Sequence, residues 1–159
     1  MLWILGAFGL LLVALPVAGV LWMTAVPGRS HTGALPPLTP EQVELVGRLQ
    51  NHGEAIASLP HNLGHPEELE RAAAHIEAAL ERTGHAFHRQ PFAAAGREVR
   101  NIEAVVEPAA SAAGRAKTLV VGAHYDSYGH APGANDNGTG VAGVLELARL
   151  LADLRGRGR

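Results

Sequence analysis

The sequence predicts an α/β fold in which helices flank a mixed, mostly parallel sheet, preceded by one N-terminal transmembrane helix. Two observations predict the sheet. Helical and strand-like patterns of apolar residues alternate along the 159-residue chain, and a short apolar run at 118–123 leads towards a helix. A continuous apolar run of this length is typical of a strand that is buried on both faces of a parallel sheet.

The N-terminal segment is apolar and carries no charged side chain before Arg29. It exceeds the roughly 20 apolar residues that cross a bilayer core, and Trp3 and Trp22 lie near its ends, where interfacial aromatics are favoured. We therefore expect a membrane anchor at 1–28, with membrane contact through residues 2–26, a single-pass localisation and a domain outside the cytoplasm. A cleaved signal peptide is the alternative, although no basic residue precedes the apolar run.

The residues after the apolar segment predict a linker and then a folded domain. Glycine and proline in residues 29–38 indicate the linker, which leaves 39–159 for the domain. Thr39 and Gln42 have the spacing of a capping box, so a helix is predicted to begin there. A second helix is predicted to begin at Pro66, a residue type that suits the first helical position.

The second half of the chain changes to a strand-like pattern. Strands are predicted at 87–92 and 99–106, on either side of a turn at Gly96, because both runs are rich in apolar or β-branched residues. A loop at 111–116 precedes the apolar run described above, which is the third predicted strand. A helix is predicted over 138–154, since its apolar residues recur at helical spacing.

Side chains able to bind a metal ion lie between the third predicted strand and the last helix. His124 directly follows the strand, at the sheet edge where open α/β sheets bind ligands. A neutral imidazole is a good zinc ligand, and the carboxylate of Asp136 is a suitable partner. Asp126 is close enough in sequence to hold the second ring nitrogen of His124. The residues alone leave two alternatives open, a metal site and an ordinary loop.

The two segments GAHYDS and GANDNGTG, followed by the helix VAGVLELAR, resemble the signature of the co-catalytic di-zinc aminopeptidases. That superfamily also includes glutamate carboxypeptidases, transferrin-receptor-like proteins and glutaminyl cyclases. The upstream segments NLGHP, RQPF and VRNIE extend the resemblance, which covers residues 40–154. It implies the N-terminal part of a three-layer zinc-exopeptidase fold.

The resemblance also implies roles for the three candidate residues. His124 would ligate one zinc ion, Asp136 would bridge two zinc ions, and Asp126 would orient His124 as a catalytic residue. In such a site two zinc ions activate a water molecule that attacks the bond next to the free amino terminus of a peptide substrate. Glutaminyl cyclases lack the pattern at 135–140, so the peptidase is favoured over a cyclase-like enzyme.

The sequence departs from the family pattern after the last predicted helix. The family supplies its general base and its other ligands, a Glu-Glu pair followed by an Asp and a His, from beyond that helix. The sequence ends at Arg159. We therefore expect a C-terminally truncated domain that is inactive alone, and a non-enzymatic, membrane-anchored interaction module is the alternative. A net charge of −2 gives no reason to expect a nucleic-acid partner, and the oligomeric state stays open.

Overall fold

The structure is a computed structural model that describes residues 2–106 and 117–156. The loop predicted at 111–116 lies outside these residues. The chain divides into two compact units, Met1–Pro37 and Leu38–Arg159.

The first unit contains one helix, α1, over Leu2–Thr24. Among the residues that the structure describes, no helix is both long and apolar enough to cross a membrane. The predicted transmembrane anchor and the single-pass localisation inferred from it are therefore wrong.

Three helices dominate the second unit. They are α2 (Pro40–Ile56), α3 (Pro66–Arg82) and α4 (Thr139–Gly156). The predicted capping box of α2 is confirmed: the Gln42 backbone N–H donates to Thr39 Oγ1 at 3.3 Å, and the Thr39 N–H donates to Gln42 Oε1 at 2.9 Å. These two bonds satisfy backbone donors that a helix start leaves without an intrahelical partner.

A β-hairpin follows α3 and is formed by β1 (Phe87–Ala94) and β2 (Arg97–Ala104). The two strands are antiparallel, with Ala94 opposite Arg97 next to the turn. Ala95 and Gly96, the two turn residues, have φ values of 48° and 77°. Positive φ at both central residues is the requirement of the tight hairpin turn whose twist matches the flanking strands. The first two predicted strands are therefore confirmed.

The predicted sheet is wrong, because the described residues contain this two-stranded antiparallel sheet and no mixed or mostly parallel one. The third predicted strand, 118–123, has no partner strand within the described ranges. Leu119 and Val120 are 84% and 86% exposed. A parallel strand is stable only with hydrogen-bonded neighbours and covered faces, and this segment has neither among the residues seen. The predicted three-layer architecture, which depends on that sheet, is therefore also wrong.

The core lies where the three helices of the second unit meet. Ile56 of α2 is fully buried and packs against Ile76 and Leu80 of α3 and Val141 and Leu145 of α4. The hairpin covers one side of this cluster with Phe87, Ile102 and Ala104. Because α4 is anchored in this way, the loop that leads into its first turn is held at a fixed place on the unit.

Candidate metal centre

His124 and Asp126 lie on the extended segment that follows residue 117. The Nδ1 atom of His124 is 3.1 Å from the backbone carbonyl oxygen of Asp126 and 3.1 Å from its Oδ1 atom. Both oxygens are acceptors, so the hydrogen of the ring must be on Nδ1, which donates to them. In the neutral ring this leaves the lone pair of Nε2 free on the opposite side of the imidazole.

Asp136 lies in the loop Ala134–Gly138, directly before α4. Gly133 begins the loop with a φ of 71°, which a residue with a Cβ rarely adopts, and the Gly138 N–H closes it by donating to the Gly133 carbonyl at 2.9 Å. The peptide bond between Asp136 and Asn137 is cis. This loop places the Oδ1 atom of Asp136 3.0 Å from Nε2 of His124.

The three side chains are exposed, and their charges act mainly on one another. The exposed fractions of the side chains are 51% for His124, 63% for Asp126 and 82% for Asp136. The hydrogen bond with the Asp136 carboxylate raises the pKa of His124 above its ordinary value, and the contacts with Asp126 add to this increase. The imidazole is therefore held between two carboxylates at a surface that solvent and ligands can reach.

The contact between His124 and Asp136 fits a shared cation. Nε2 and Oδ1 both present electron pairs, so their 3.0 Å separation requires a proton or a metal ion between them. Two zinc bonds of about 2.0–2.1 Å at a tetrahedral angle place the ligand atoms roughly 3.3 Å apart, close to the observed separation. An imidazole nitrogen with a carboxylate oxygen is also a donor pair that zinc favours.

The donor set is partial in the part of the chain that the structure describes. Within those residues no group of three or more His, Cys, Asp or Glu side chains could hold a metal ion. Zinc sites normally have about four ligands. His124 and Asp136 thus fit two positions of such a site.

The structure brings together all three residues that the sequence singled out, and their roles at a metal remain a prediction. Sequence reasoning gave no role to Asn62, which donates from Nδ2 to Ser127 Oγ at 3.3 Å and to the Gly129 carbonyl at 2.7 Å. A local signal does exist, because Asn62 Oδ1 accepts from the Gly64 N–H at 2.9 Å, an Asx turn that the sequence Asn-Leu-Gly suits.

The remaining histidines do not join the centre through any contact seen in the structure. His52 and His75 form a separate pair, with Nδ1 of the first 2.9 Å from Nε2 of the second. This pair lies at the junction of α2 and α3, beside Glu146 of α4. His61 is buried, and its Nδ1 is 2.8 Å from the Leu59 carbonyl oxygen. These surroundings indicate structural roles for the three histidines.

The segments 122–127 and 133–140, which carry His124 and Asp136, are called the motif below. Comparison with known proteins shows similarity in the region of the motif and beyond it. Residues 101–158 match the family model for Peptidase family M28. The protein YfbL of Escherichia coli K12 is 31% identical over 138 residues, which cover 82% of this chain and 38% of that protein. The chain therefore spans less than two fifths of the length of this relative. No solved structure matches the chain.

Two shorter matches carry functional names. Aminopeptidase YwaD of Bacillus subtilis is 61% identical over 33 residues, which cover 21% of this chain and 7% of that protein. The human BOS complex subunit NCLN is 54% identical over 41 residues, which cover 23% of this chain and 7% of that protein. One name describes an enzyme and the other a subunit of a complex.

Proposed function

We propose that this chain, whose residues 101–158 carry the sequence pattern of Peptidase family M28, is part of a zinc-dependent exopeptidase. The resemblance to the di-zinc aminopeptidases is confirmed by that match, and the family supports a peptidase that acts on peptide substrates. The observation that carries the proposal is the 3.0 Å contact between Nε2 of His124 and Oδ1 of Asp136, with Asp126 on the other ring nitrogen.

Each of the three residues has a distinct role in the proposal. His124 would hold zinc through Nε2, and Asp136 would hold it through Oδ1, the two atoms that lie 3.0 Å apart. The resemblance implies that Asp136 would also serve a second zinc ion. Asp126 accepts from Nδ1, which fixes the tautomer and the direction of the ring. When bound, zinc supplies Lewis-acid chemistry that polarises the carbonyl of the bond to be cleaved.

The preference for the amino terminus rests on the match to aminopeptidase YwaD. The exposure of the three side chains agrees with a site that must admit the end of a peptide chain. The described residues supply two metal donors and no group of three or more His, Cys, Asp or Glu side chains that could hold a metal ion. The resemblance places the general base beyond the last helix. We therefore propose that these 159 residues, assayed alone, hydrolyse aminoacyl nitroanilides no faster than a His124→Ala control, even with added zinc. Loss of a positioned base alone costs about 10²–10⁴-fold in rate.

A chimera tests the function where the chain alone cannot. Residues 117–156 replace the corresponding segment of aminopeptidase YwaD, and hydrolysis of an aminoacyl nitroanilide is measured with and without zinc. We expect zinc-dependent hydrolysis that disappears when His124→Ala is introduced into the chimera. A folded chimera without hydrolysis, or one that His124→Ala leaves unchanged, contradicts the proposal. The matched control is His130→Ala in the chimera, since His130 lies within residues 117–156 and is exposed.

The second candidate function is a non-enzymatic interaction module. It is favoured by the match to the BOS complex subunit NCLN, whose name describes membership of a complex. The same chimera separates the two functions, because an interaction module has no need to retain working metal ligands. In that case the chimera folds and binds no zinc, and the exposed apolar residues Leu119 and Val120 become the first surface to test for protein contact.

A further inference from the structure

We propose that Ser127 and Asn62 are positioning residues, which hold the imidazole of His124 in place by fastening the Asp126–Ser127 peptide group to the loop at His61. The proposal rests on the proposed metal site, since it assigns residues that orient one of the metal ligands. It also gives a role to the segment NLGHP, which is part of the resemblance to the di-zinc aminopeptidases.

One peptide group links the imidazole of His124 to the loop at His61. The N–H of Ser127 donates to the His61 carbonyl at 2.8 Å. The carbonyl of Asp126 belongs to the same peptide group and accepts from His124 Nδ1 at 3.1 Å. A peptide group is planar, so its N–H and C=O point in opposite directions and cannot turn independently. The hydrogen bond to His61 therefore fixes the direction of the carbonyl that the imidazole meets.

Ser127 is buried, with 4% of its surface exposed. Its Oγ atom accepts from the His61 N–H at 2.9 Å and from Asn62 Nδ2 at 3.3 Å. Ser127 thus forms hydrogen bonds to both backbone groups of His61 and to the side chain of the next residue. A residue fastened at three points has little freedom to rotate, and Asp126 directly precedes it.

Ser127 also contacts the loop that carries Asp136. A Cβ atom added at Gly133 would lie 2.8 Å from the Cβ of Ser127, so the two residues are packed in direct contact. Gly133 is also the residue whose carbonyl accepts from Gly138 and closes the loop around Asp136. Ser127 therefore contacts both halves of the motif, the one with His124 and the one with Asp136.

Asn62 stabilises the same arrangement from the other side. Its Nδ2 atom bonds Ser127 and the Gly129 carbonyl, while its Oδ1 atom holds its own turn by accepting from Gly64. Its side chain therefore bridges two loops that are more than sixty positions apart in sequence. Removing the Ser127 hydroxyl or the Asn62 side chain should therefore free the Asp126–Ser127 peptide group to rotate. Neither change removes an atom of the proposed metal ligands.

The test compares Ser127→Ala, Asn62→Ala and the double variant in the full chain. Ser58→Ala is the matched control, because Ser58 Oγ also accepts a side-chain hydrogen bond, from Arg71. Two quantities are measured. One is the zinc affinity, by competition with a chromogenic chelator; the other is the set of ¹⁵N chemical shifts of the His124 ring in metal-free protein at one pH.

We expect Ser127→Ala to weaken zinc binding about tenfold, the lower end of the effect of residues that orient metal ligands. We also expect it to move the His124 ring shifts towards the average of the two tautomers. Asn62→Ala should act in the same direction, and the double variant should lose less than the product of the two effects because they share one hydrogen bond. Ser58→Ala should change neither quantity.

Wild-type zinc affinity and wild-type ring shifts in both single variants would overturn the positioning role while leaving the proposed function intact. Absence of zinc binding by the wild-type chain contradicts the proposed function instead. In that case the ring shifts alone decide: a change in Ser127→Ala supports positioning, and unchanged shifts overturn it. If Ser127→Ala fails to fold, Asn62→Ala provides the same two measurements.

Discussion

The buried carboxylates of the helical core and the exposed carboxylates of the motif differ in what surrounds them. Glu77 and Glu146 are nearly inaccessible to solvent, and each accepts hydrogen bonds from two arginines. Asp126 and Asp136 are exposed, and the ion pairs that the structure shows for them are with His124. The arginines are Arg89 and Arg100 at Glu77, and Arg48 and Arg149 at Glu146.

This difference shows which negative charges the chain neutralises by itself. Burial raises the pKa of Glu146, but the hydrogen bonds and the positive charges of its arginines together lower it by more, so the group stays ionised and paired. In the motif two carboxylates share one imidazole. The exposed carboxylates of the motif therefore remain available to a cation from outside the chain. Each buried carboxylate of the core is already paired with two arginines.

The largest difference between the two regions should appear when apolar side chains are truncated. Ile56→Ala removes a side chain that is 0% exposed, and we expect it to lower the free energy of unfolding by about 2–5 kcal/mol. Leu119→Ala, next to the motif, should change it by less than about 0.5 kcal/mol, because Leu119 is exposed. Urea denaturation measures both, and a comparable loss in Leu119→Ala would show that the apolar segment has a buried partner.

The next effect concerns the paired charge in the core. Glu77→Gln keeps the shape of the side chain and removes its charge from Arg89 and Arg100, and we expect a loss of about 1–3 kcal/mol in the free energy of unfolding. Glu44→Gln is the control, since Glu44 is exposed and 3.7 Å from its arginine, and it should cost less than about 0.5 kcal/mol. Equal costs would mean that burial adds nothing to the pair.

A smaller effect should follow from the histidine pair between α2 and α3. Burial lowers the pKa of His52 and of His75 below the ordinary value of 6.5. The folded state therefore takes up protons at lower pH than the unfolded state does. Stability from this source is complete above pH 6.5 and is lost as the pH falls below it.

Urea denaturation at several values of pH between 7.5 and 5 tests this effect. With decreasing pH, the free energy of unfolding of the wild-type chain should fall relative to that of His75→Gln. His124, whose pKa is raised, contributes in the opposite direction and equally in both proteins. His88→Gln is the control and should keep the wild-type dependence, because His88 is exposed on β1. If His75→Gln keeps the wild-type pH dependence as well, that dependence does not come from the pair of His52 and His75.

The smallest effect on stability should come from the motif itself. Asp136→Asn changes a side chain that is 82% exposed, so the metal-free chain should unfold within about 0.5 kcal/mol of the wild type. Saturating zinc should raise the stability of the wild type alone, since a ligand that binds the folded state stabilises it in proportion to RT ln(1 + [L]/Kd). Equal stabilisation of Asp136→Asn by zinc would contradict the role of Asp136.

The features that the sequence predicted correctly depend on residues close together in the chain. The capping box at Thr39 needs only the next three residues, and the contact between His124 and Asp126 needs only two. The hairpin follows from two strand-like runs joined by a short turn. Helical periodicity likewise placed α4, so the loop with Asp136 was expected before it.

The features that the sequence did not predict depend on distant partners. The run at 118–123 has the composition of a buried strand, but the described residues give it no neighbouring strand with which to pair. The bridge from Asn62 to Ser127 joins residues 65 positions apart, and no local pattern specifies such a contact.

Calorimetric titration of zinc into the 159-residue chain tests the central claim most directly. The account predicts that the wild type and His88→Ala bind zinc alike, and that His124→Ala and Asp136→Ala lose that binding, because these two residues supply Nε2 and Oδ1 at 3.0 Å. Zinc binding of unchanged affinity and stoichiometry in His124→Ala would contradict the account, since the metal would then be held by residues outside the motif.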